Sequence, residues 1–497
     1  MKIKYGWLGL AAASCFVQAQ TTAPFKHSLK PNMIHVYNVL PGDASDFKEI
    51  FSKGMWYGRL RTHLFIDKWG TELLNIEKNG KHYDLRRDSA IVGVGGSLTY
   101  KTAYYNGFGA TAGFYFTNGI GNLGRDEAYL YKAGKDTFSR YDRLTEGKTY
   151  IATFAEAYLE YRYSHTDVKA GRQIFESFLT KSNDGKMIPN TFEGVTVTTR
   201  DLHDTTFKAA YITRQKLRDH SSFHHVLATG YVKGEPYSYY TQNDDAGMHK
   251  GLALSKLEAK GIKDRLWIAE VQNHSIDNLT LTANYTGVPD LLSSAMVQAD
   301  YTFKSGKWTW RPGIRYMQQF DNGAGEIGGA SQKLLIAGYK DPKSLDSWLL
   351  GLRLDGKYDA WRVHLGYTRV ADKGDIIAPW RGFPTGGFTR LMGQYNWDAN
   401  TRTYVGKVGY DWQQYDLKIV GSYGYQDFDD AKAAVPADNN VATLEVMQGF
   451  GAKQQFYWKV RYAHVWGDTD TPFPGKPGVY KLDPSYDELR AEVDYLF

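Results

Sequence analysis

From Glu488 to Tyr495 the chain alternates without a break. Leu489, Ala491, Val493, Tyr495 and Phe497 share one parity, while Glu488, Arg490, Glu492 and Asp494 share the other. A β-strand sends successive side chains to opposite faces, so this segment has one greasy face and one charged face. The rhythm recurs upstream. Ala295, Val297, Ala299, Tyr301 and Phe303 share a face before a turn at Lys304, Ser305 and Gly306, and Trp308, Trp310, Pro312, Ile314 and Tyr316 resume it. That leaves Thr309, Arg311, Gly313, Arg315 and Met317 on the other side. Trp348 to Leu354 and Trp361 to Tyr367 repeat the pattern across a second tight turn, and Phe108 to Phe116 carries it near the start. Such turns fix strand register. Hydrocarbon outside and solution inside impose this alternation on a closed ring of strands.

The two ends of the chain agree with that environment. Lys2 and Lys4 precede a short apolar run from Trp7 to Val17, and Val17-Gln18-Ala19 is a small-residue cleavage pattern. Residues 1–19 are therefore expected to be a removable export signal, since the run is too short to span a bilayer as a helix. A lipoprotein signal through Cys15 fits less well, because Ala12 stands where a Leu is usual. Loss of Lys2 and Lys4 takes the formal charge from +6 to +4, and loss of Cys15 removes the single cysteine. A mature chain without thiols has no disulfide and no cysteine-ligated metal. The small net charge, with no basic helix or zinc spacing, argues against nucleic acid. At the other end, Tyr495 and the terminal Phe497 resemble the signal by which bacterial barrel proteins reach their assembly machinery.

Mean hydropathy is negative, and no apolar stretch is long enough for a membrane helix. Yet 15% of residues are aromatic, with 37 Tyr and 51 Gly. The expected fold is all-β, a transmembrane antiparallel β-barrel with short periplasmic turns and long extracellular loops. Strands are expected over 55–66, 89–102, 108–118, 150–164, 167–173, 192–200, 205–214, 264–272 and 278–285. They continue over 293–303, 307–320, 346–355, 359–370, 402–412, 415–426, 439–450, 455–465 and 486–497. That makes eighteen, and an even number returns both termini to the periplasm, with residues 20–54 as a periplasmic lead-in and 55–497 as the barrel. Phe223 to Lys233 also looks strand-like and is expected as ordered structure inside a long loop at 215–263. A soluble sandwich or propeller would also show period two, but no blade-length repeat is present and the apolar faces would need a very large core.

Parity then assigns the lumen. On strands 11 to 18 and strand 1 the inward positions carry Arg311, Arg315, Arg353, Arg362, Lys407, Lys418, Lys459, Arg461, Arg490, Arg59 and Arg61. The acids on the same wall are fewer: Asp355, Asp411, Glu445, Glu488, Glu492 and Asp494. Glu156, Glu160 and Asp300 are expected to form an opposing acidic wall. Opposite charges across a narrow pore create a transverse field focused by low-dielectric walls, and a row of guanidiniums can hand a carboxylate from one forked contact to the next. For any single base, ordinary lumen polarity explains its place better than function does, and the row taken together is stronger evidence than its members. Two long segments, 174–191 and 371–401, could narrow the pore; in the first, Ser182, Asp184, Lys186 and Pro189 are the constriction residues. Long loops of this kind are commonly functional, although an outward lid fits the sequence equally.

Gly171-Arg172-Gln173, a polar loop, then Met187-Ile188-Pro189-Asn190-Thr191-Phe192-Glu193-Gly194 resembles the third-loop region of the OprD family of outer-membrane porins. Val195 to Leu202 and Phe207 to Arg214 extend the similarity, which is sharpest over 165–225. The resemblance implies an eighteen-stranded channel constricted by its third and seventh loops, with lumen arginines guiding carboxylate-bearing solutes. By the strand count above, the third loop is 174–191 and the seventh 371–401. No lumen arginine is matched by motif, so the ladder rests on parity, and the solute does not transfer.

Other motifs carry less. Gly119-Ile120-Gly121-Asn122-Leu123-Gly124 has a dinucleotide-binding spacing but no helix opens after it, as pyrophosphate binding requires. His220, His224 and His225 lack a carboxylate cluster and are expected as surface polar groups, so neither metal nor cofactor is expected. No strained Gly-x-Ser-x-Gly elbow supports a barrel lipase or protease, and an adhesive barrel would need a plugged lumen. The expectation is a non-enzymatic porin of the bacterial outer membrane, in contact with lipid and lipopolysaccharide, passing small polar solutes such as amino acids and organic acids by diffusion. A non-selective porin differs from it only in constriction width, and monomer and trimer both remain open.

Overall fold

The computed structural model describes residues 26–30, 33–78, 80–132, 135–228, 230, 234–235, 249–393, 395–451 and 455–497. The expected signal segment 1–19 lies outside them. Eighteen strands close into an antiparallel barrel. We number them β1 (Met55–Trp69), β2 (Ser89–Lys101), β3 (Phe108–Gly121), β4 (Tyr150–Tyr163), β5 (Thr166–Gln173) and β6 (Thr191–Thr199). Next come β7 (Thr205–Lys216), β8 (Leu266–Asn273), β9 (Leu279–Val288), β10 (Leu292–Tyr301, resumed at Phe303–Ser305), β11 (Trp308–Asp321) and β12 (Ser347–Tyr358). The last six are β13 (Trp361–Val370), β14 (Arg402–Trp412), β15 (Leu417–Asp427), β16 (Asn439–Phe450), β17 (Phe456–Gly467) and β18 (Tyr486–Leu496). The ring closes where β18 meets β1, with Tyr486 opposite Trp69 and Leu496 opposite Arg59.

Outward and inward parities separate as the alternation predicts. Along β1, Leu60 is 57% exposed between Arg59 at 1% and Arg61 at 2%. Trp56, Trp267, Trp361, Trp412 and Trp466 are all exposed on the outer face, where hydrocarbon and the headgroup region would cover them. An aromatic row runs around the periplasmic rim: Phe450 to Phe456 at 5.4 Å, Phe456 to Tyr495 at 4.7 Å, and Tyr495 to Phe497 at 6.2 Å between ring centres. Phe497 exchanges backbone hydrogen bonds with Gly58 at 3.0 and 3.1 Å. A Cβ at Gly58 would fall 2.0 Å from the Phe497 ring, so glycine is what lets the terminal aromatic lie across the seam.

Strand ends differ from the expectation mainly at the long-loop side. β1 continues to Trp69 and β7 to Lys216, because there the strands rise out of the apolar layer and the alternation that marks them fades. At the opposite rim, β12 runs through Lys357 to Tyr358 rather than stopping at 355. In β4 one extra residue, Ala155, sits between Phe154, opposite Phe114, and Glu156, opposite Gly113. This bulge resets parity, so that Phe154 points out while Glu156 and Glu160 point in. Short and long connections alternate around the ring, except that β9 and β10 are joined at the long-loop end by residues 289–291 alone.

The barrel is filled from its own loops. Phe178 and Leu179 of loop 3, Val226 and Leu227 of loop 4, and Ile376, Ile377 and Trp380 of loop 7 are buried in one cluster. Each such side chain taken out of water contributes about 1.5–3 kcal/mol, which is ample to hold the loops inward. The expected ordered stretch in loop 4 is present in part: Gln215 and His224 exchange backbone hydrogen bonds at 2.9 and 2.8 Å, and residues 231–233 lie outside the described set. No helix among the described residues is long and apolar enough to cross a membrane.

Candidate functional site: a basic path between two inward loops

Loop 3 (174–190) is held down by its acid. Asn183 takes a left-handed backbone, φ 43°, an easy conformation for Asn, and the following Asp184 turns toward β1. There Arg61 donates to Asp184 at 2.9 Å and Arg59 pairs with the same carboxylate. Both guanidiniums also face Asp494, at 3.7 and 3.2 Å, and Arg61 lies 3.5 Å from Glu492. The group is fully buried and close to charge-balanced, the arrangement buried ions require. Lys186 pairs at 2.7 Å with Asp136 of loop 2, Ser182 donates to Glu176 at 2.8 Å, and the Pro189 carbonyl faces Lys216 at 3.5 Å. Loop 3 thus folds into the lumen.

Loop 7 (371–401) is held by its backbone instead. Arg315 donates to the carbonyls of Pro384 and Gly386 at 2.7 and 2.9 Å, and to Gln298 at 2.9 and 2.6 Å. Its guanidinium lies 4.8 Å from the Phe178 ring and 4.4 Å from that of Phe388. Arg353 donates to the Gly387 carbonyl at 3.0 Å, His364 spans Asp355 at 2.7 Å and the Phe388 carbonyl at 2.6 Å, and Lys407 reaches the Arg390 carbonyl at 3.3 Å. The two loops then meet: Lys181 donates its N–H to Trp380, at 3.1 Å, and Gly382 to Leu179, at 2.9 Å. A Cβ on Gly382 would sit 2.3 Å from the Leu179 carbonyl carbon.

Between and around the loops lie three cavities that share lining residues. The outer one, about 360 Å³, is bounded by Trp69, Tyr395, Trp397 and Tyr486 with Lys132, Lys333 and Arg381. The middle one, about 520 Å³, carries eight bases (Lys132, Lys186, Arg218, Arg381, Arg390, Lys407, Arg461 and Arg490) against two acids, Glu445 and Glu488. The inner one, about 660 Å³, has Arg311, Arg353, Lys357, Arg362, Lys407 and Lys418 against Asp355 and Asp411. Lys132 and Arg381 belong to the first two, and Lys407 to the last two. Among the described residues, Arg390, Lys407 and Lys418 have no carboxylate within ion-pair distance. Arg390 stacks 4.4 Å from the Phe383 ring, and burial lowers its pKa to about 10, leaving it charged at neutral pH. Burial brings Lys132 down to about 8, against the pull of Asp67.

Parity therefore located inward bases but not their surroundings. Arg311, Arg353, Arg362, Lys407, Lys418 and Arg461 line the cavities. Arg59, Arg61, Arg315 and Lys459 do not: the first three are sealed beneath loops 3 and 7, and Lys459 is buried against Glu445 at 3.0 Å. The acidic residues also differ from the expectation of an opposing wall. Asp300 accepts from Arg353 at 2.5 Å and faces Arg311 at 3.5 Å, beside the bases it was expected to oppose. Gly313 on the intervening strand permits this, since a Cβ there would lie 2.4 Å from Asp300 and 2.8 Å from Arg353. Glu156 accepts from the Tyr115 hydroxyl at 2.8 Å and Glu160 from that of Tyr104 at 2.7 Å; neither lines any of these three cavities. Lys132, Arg218, Arg381 and Arg390 were missed because they sit on loops, where no period tells inward from outward. Lys357 was missed because its strand was ended too early. His220 and His224 contact each other at 2.6 Å and His225 contacts Asp264 at 2.6 Å; no group of three or more metal-ligating side chains occurs among the described residues.

Residues 147–375, from the start of β4 into loop 7, match the family model described as outer membrane porin, OprD family. The fold is similar to that of Pseudomonas aeruginosa OpdK, solved with vanillate, at 13% identity and a TM-score of 0.63, covering 90% of this chain and 99% of that one. Pseudomonas aeruginosa OccK8 (OprE) is similar at 14% identity and 0.63, with the same coverage. Acinetobacter baumannii OccAB4 is similar at 13% and 0.63, covering 89% and 98%. No curated protein matches the chain. With eighteen strands, an apolar outer wall and an inward third loop inside the matched region, this chain has the fold of an outer-membrane porin and is similar to the OprD family over residues 147–375.

Proposed function

We propose that this porin passes small polar solutes bearing a carboxylate, such as amino acids and organic acids, by selective diffusion down a basic path. The observation that carries this is the shared lining of the three cavities, in which bases outnumber acids at every level and, among the described residues, Arg390, Lys407 and Lys418 have no carboxylate within ion-pair distance. A carboxylate entering past Lys132 and Arg381 would meet Arg390 and Lys407 and then Lys418 and Arg362. Contacts of this kind are weak and multiple, which lets a solute leave as well as enter. A ring-bearing carboxylate is a narrower version, supported by Phe383, Tyr395 and Trp397 at the entrance and by the vanillate in the OpdK structure. We read the chain as a channel without catalytic chemistry, embedded among lipid and lipopolysaccharide, with Tyr495 and Phe497 as the segment its assembly machinery recognises. Uptake of radiolabelled gluconate and glucose into proteoliposomes, two solutes of matched size, tests the proposal. Gluconate should enter faster; glucose entering equally fast or faster would sink the carboxylate preference and leave a general porin.

A further inference from the structure

The segment ahead of β1 does not stay outside the barrel. His27–Leu29 and His35–Tyr37 pair antiparallel, with Ser28 opposite Val36. Met33, 1% exposed, packs in one cluster with Tyr457 and Leu496 at the periplasmic ends of β17 and β18. Its carbonyl accepts from Arg59 at 2.9 Å, and the Tyr57 hydroxyl donates to Val39 at 2.6 Å. The rings of His27, His35 and Tyr37 gather around Tyr57 at 5.8, 6.4 and 4.5 Å. Lys101 lies 4.7 Å from the Tyr37 ring and 3.9 Å from Glu160. Tyr37 is also near enough to Glu156 that this carboxylate, after burial itself, helps hold the phenol neutral.

These contacts come from the arc β17, β18, β1 and β2, together with the acids of β4. The middle and inner cavities take no strand residue from β1 to β9; their walls are β10 to β18 and the inward loops. We infer that the paired segments His27–Leu29 and His35–Tyr37, with Met33, are a specificity-determining element, which fills one side of the periplasmic mouth, covers the acids of β4 and confines solutes to the basic side. Without it, Glu156 and Glu160 would face solution in the exit and offset the positive field of Arg353, Arg362 and Lys418.

Deleting residues 26–38 behind the native export signal tests this in planar bilayers with KCl. With an obstructed side of the mouth opened, single-channel conductance should rise about twofold, and anion preference should fall. Conductance and reversal potential both equal to those of the full chain would overturn the inference. Should the shortened chain fail to insert, a full-length Met33→Cys, Tyr457→Cys pair gives an independent answer. A short bifunctional thiol reagent should cross-link it in the inserted protein; no cross-link would place the paired segments outside the lumen and overturn the inference. The direction of the selectivity change rests on the basic path proposed above, whereas conductance and cross-linking do not, so failure of either idea is distinguishable.

Discussion

Loops 3 and 7 enter the same lumen but are fastened differently. Loop 3 brings an acid, Asp184, to two bases of the wall, and the resulting cluster with Asp494 and Glu492 is sealed from solvent. Loop 7 offers carbonyls to Arg315, Arg353 and Lys407, which carry dipoles but no compensating charge. Bases on the loop 3 side are therefore neutralised, while on the loop 7 side positive charge is left over at Lys407 and in Arg390 of the loop itself. The same residue type at the same inward parity thus acts as a clasp on one side and as part of the pore surface on the other. What decides between them is whether a loop seals the base, by a carboxylate at Arg59 and Arg61 or by backbone carbonyls at Arg315.

Removing the clasp should have the largest effect. Asp184→Ala leaves Arg59 and Arg61 buried with less negative charge, a loss on the order of 3 kcal/mol for breaking a buried pair. Urea titration of the barrel should show the lower stability, and single-channel conductance should rise as loop 3 lifts. Unchanged conductance would mean that the ion cluster does not set the constriction. Next in size is the seam between the loops. Gly382→Val drives a side chain into the Leu179 backbone, at a cost of about 1–3 kcal/mol for overpacking, and should give noisier, larger openings.

The two sides also differ in how far they were legible before any coordinates. The barrel could be read almost strand by strand, since Leu60 and Arg61, or Ile314 and Arg315, must face opposite media. The seal over Arg59, Arg61 and Arg315 could not, because it depends on where loops far away in sequence come to rest; Asp184 lies 123 residues from Arg61. Asp300 shows the limit of parity most directly: it is inward as expected, yet its partner is set by Gly313, whose missing side chain lets two strands' charges meet over a third. The loop bases Arg381 and Arg390 gave no periodic signal at all.

Charge changes on the loop 7 side should alter selectivity and spare stability. Arg390→Gln with Lys407→Gln should lower the anion-to-cation permeability ratio several-fold, on the order of the 1 kcal/mol per charge typical of partly screened sites. A stability loss without a selectivity change would assign those residues to loop holding. Arg311→Gln, at the exposed inner rim, should shift reversal potential less, whereas Arg315→Gln should act mainly on loop 7 and conductance. The smallest effect is expected from pH. Lys132, with its pKa lowered to about 8, is charged at pH 7 and loses its proton as pH rises through 8, so anion preference should decline modestly between pH 7 and 9. Lys132→Arg should abolish that decline.

The central claim is that the open passage follows the positively charged side left uncompensated by loop 7. The reversal potential of the wild-type channel in a planar bilayer, under a tenfold KCl gradient, tests it most directly. A potential of the sign set by chloride is expected, reduced by Arg390→Gln with Lys407→Gln. A potential set by potassium in the wild type would contradict the account.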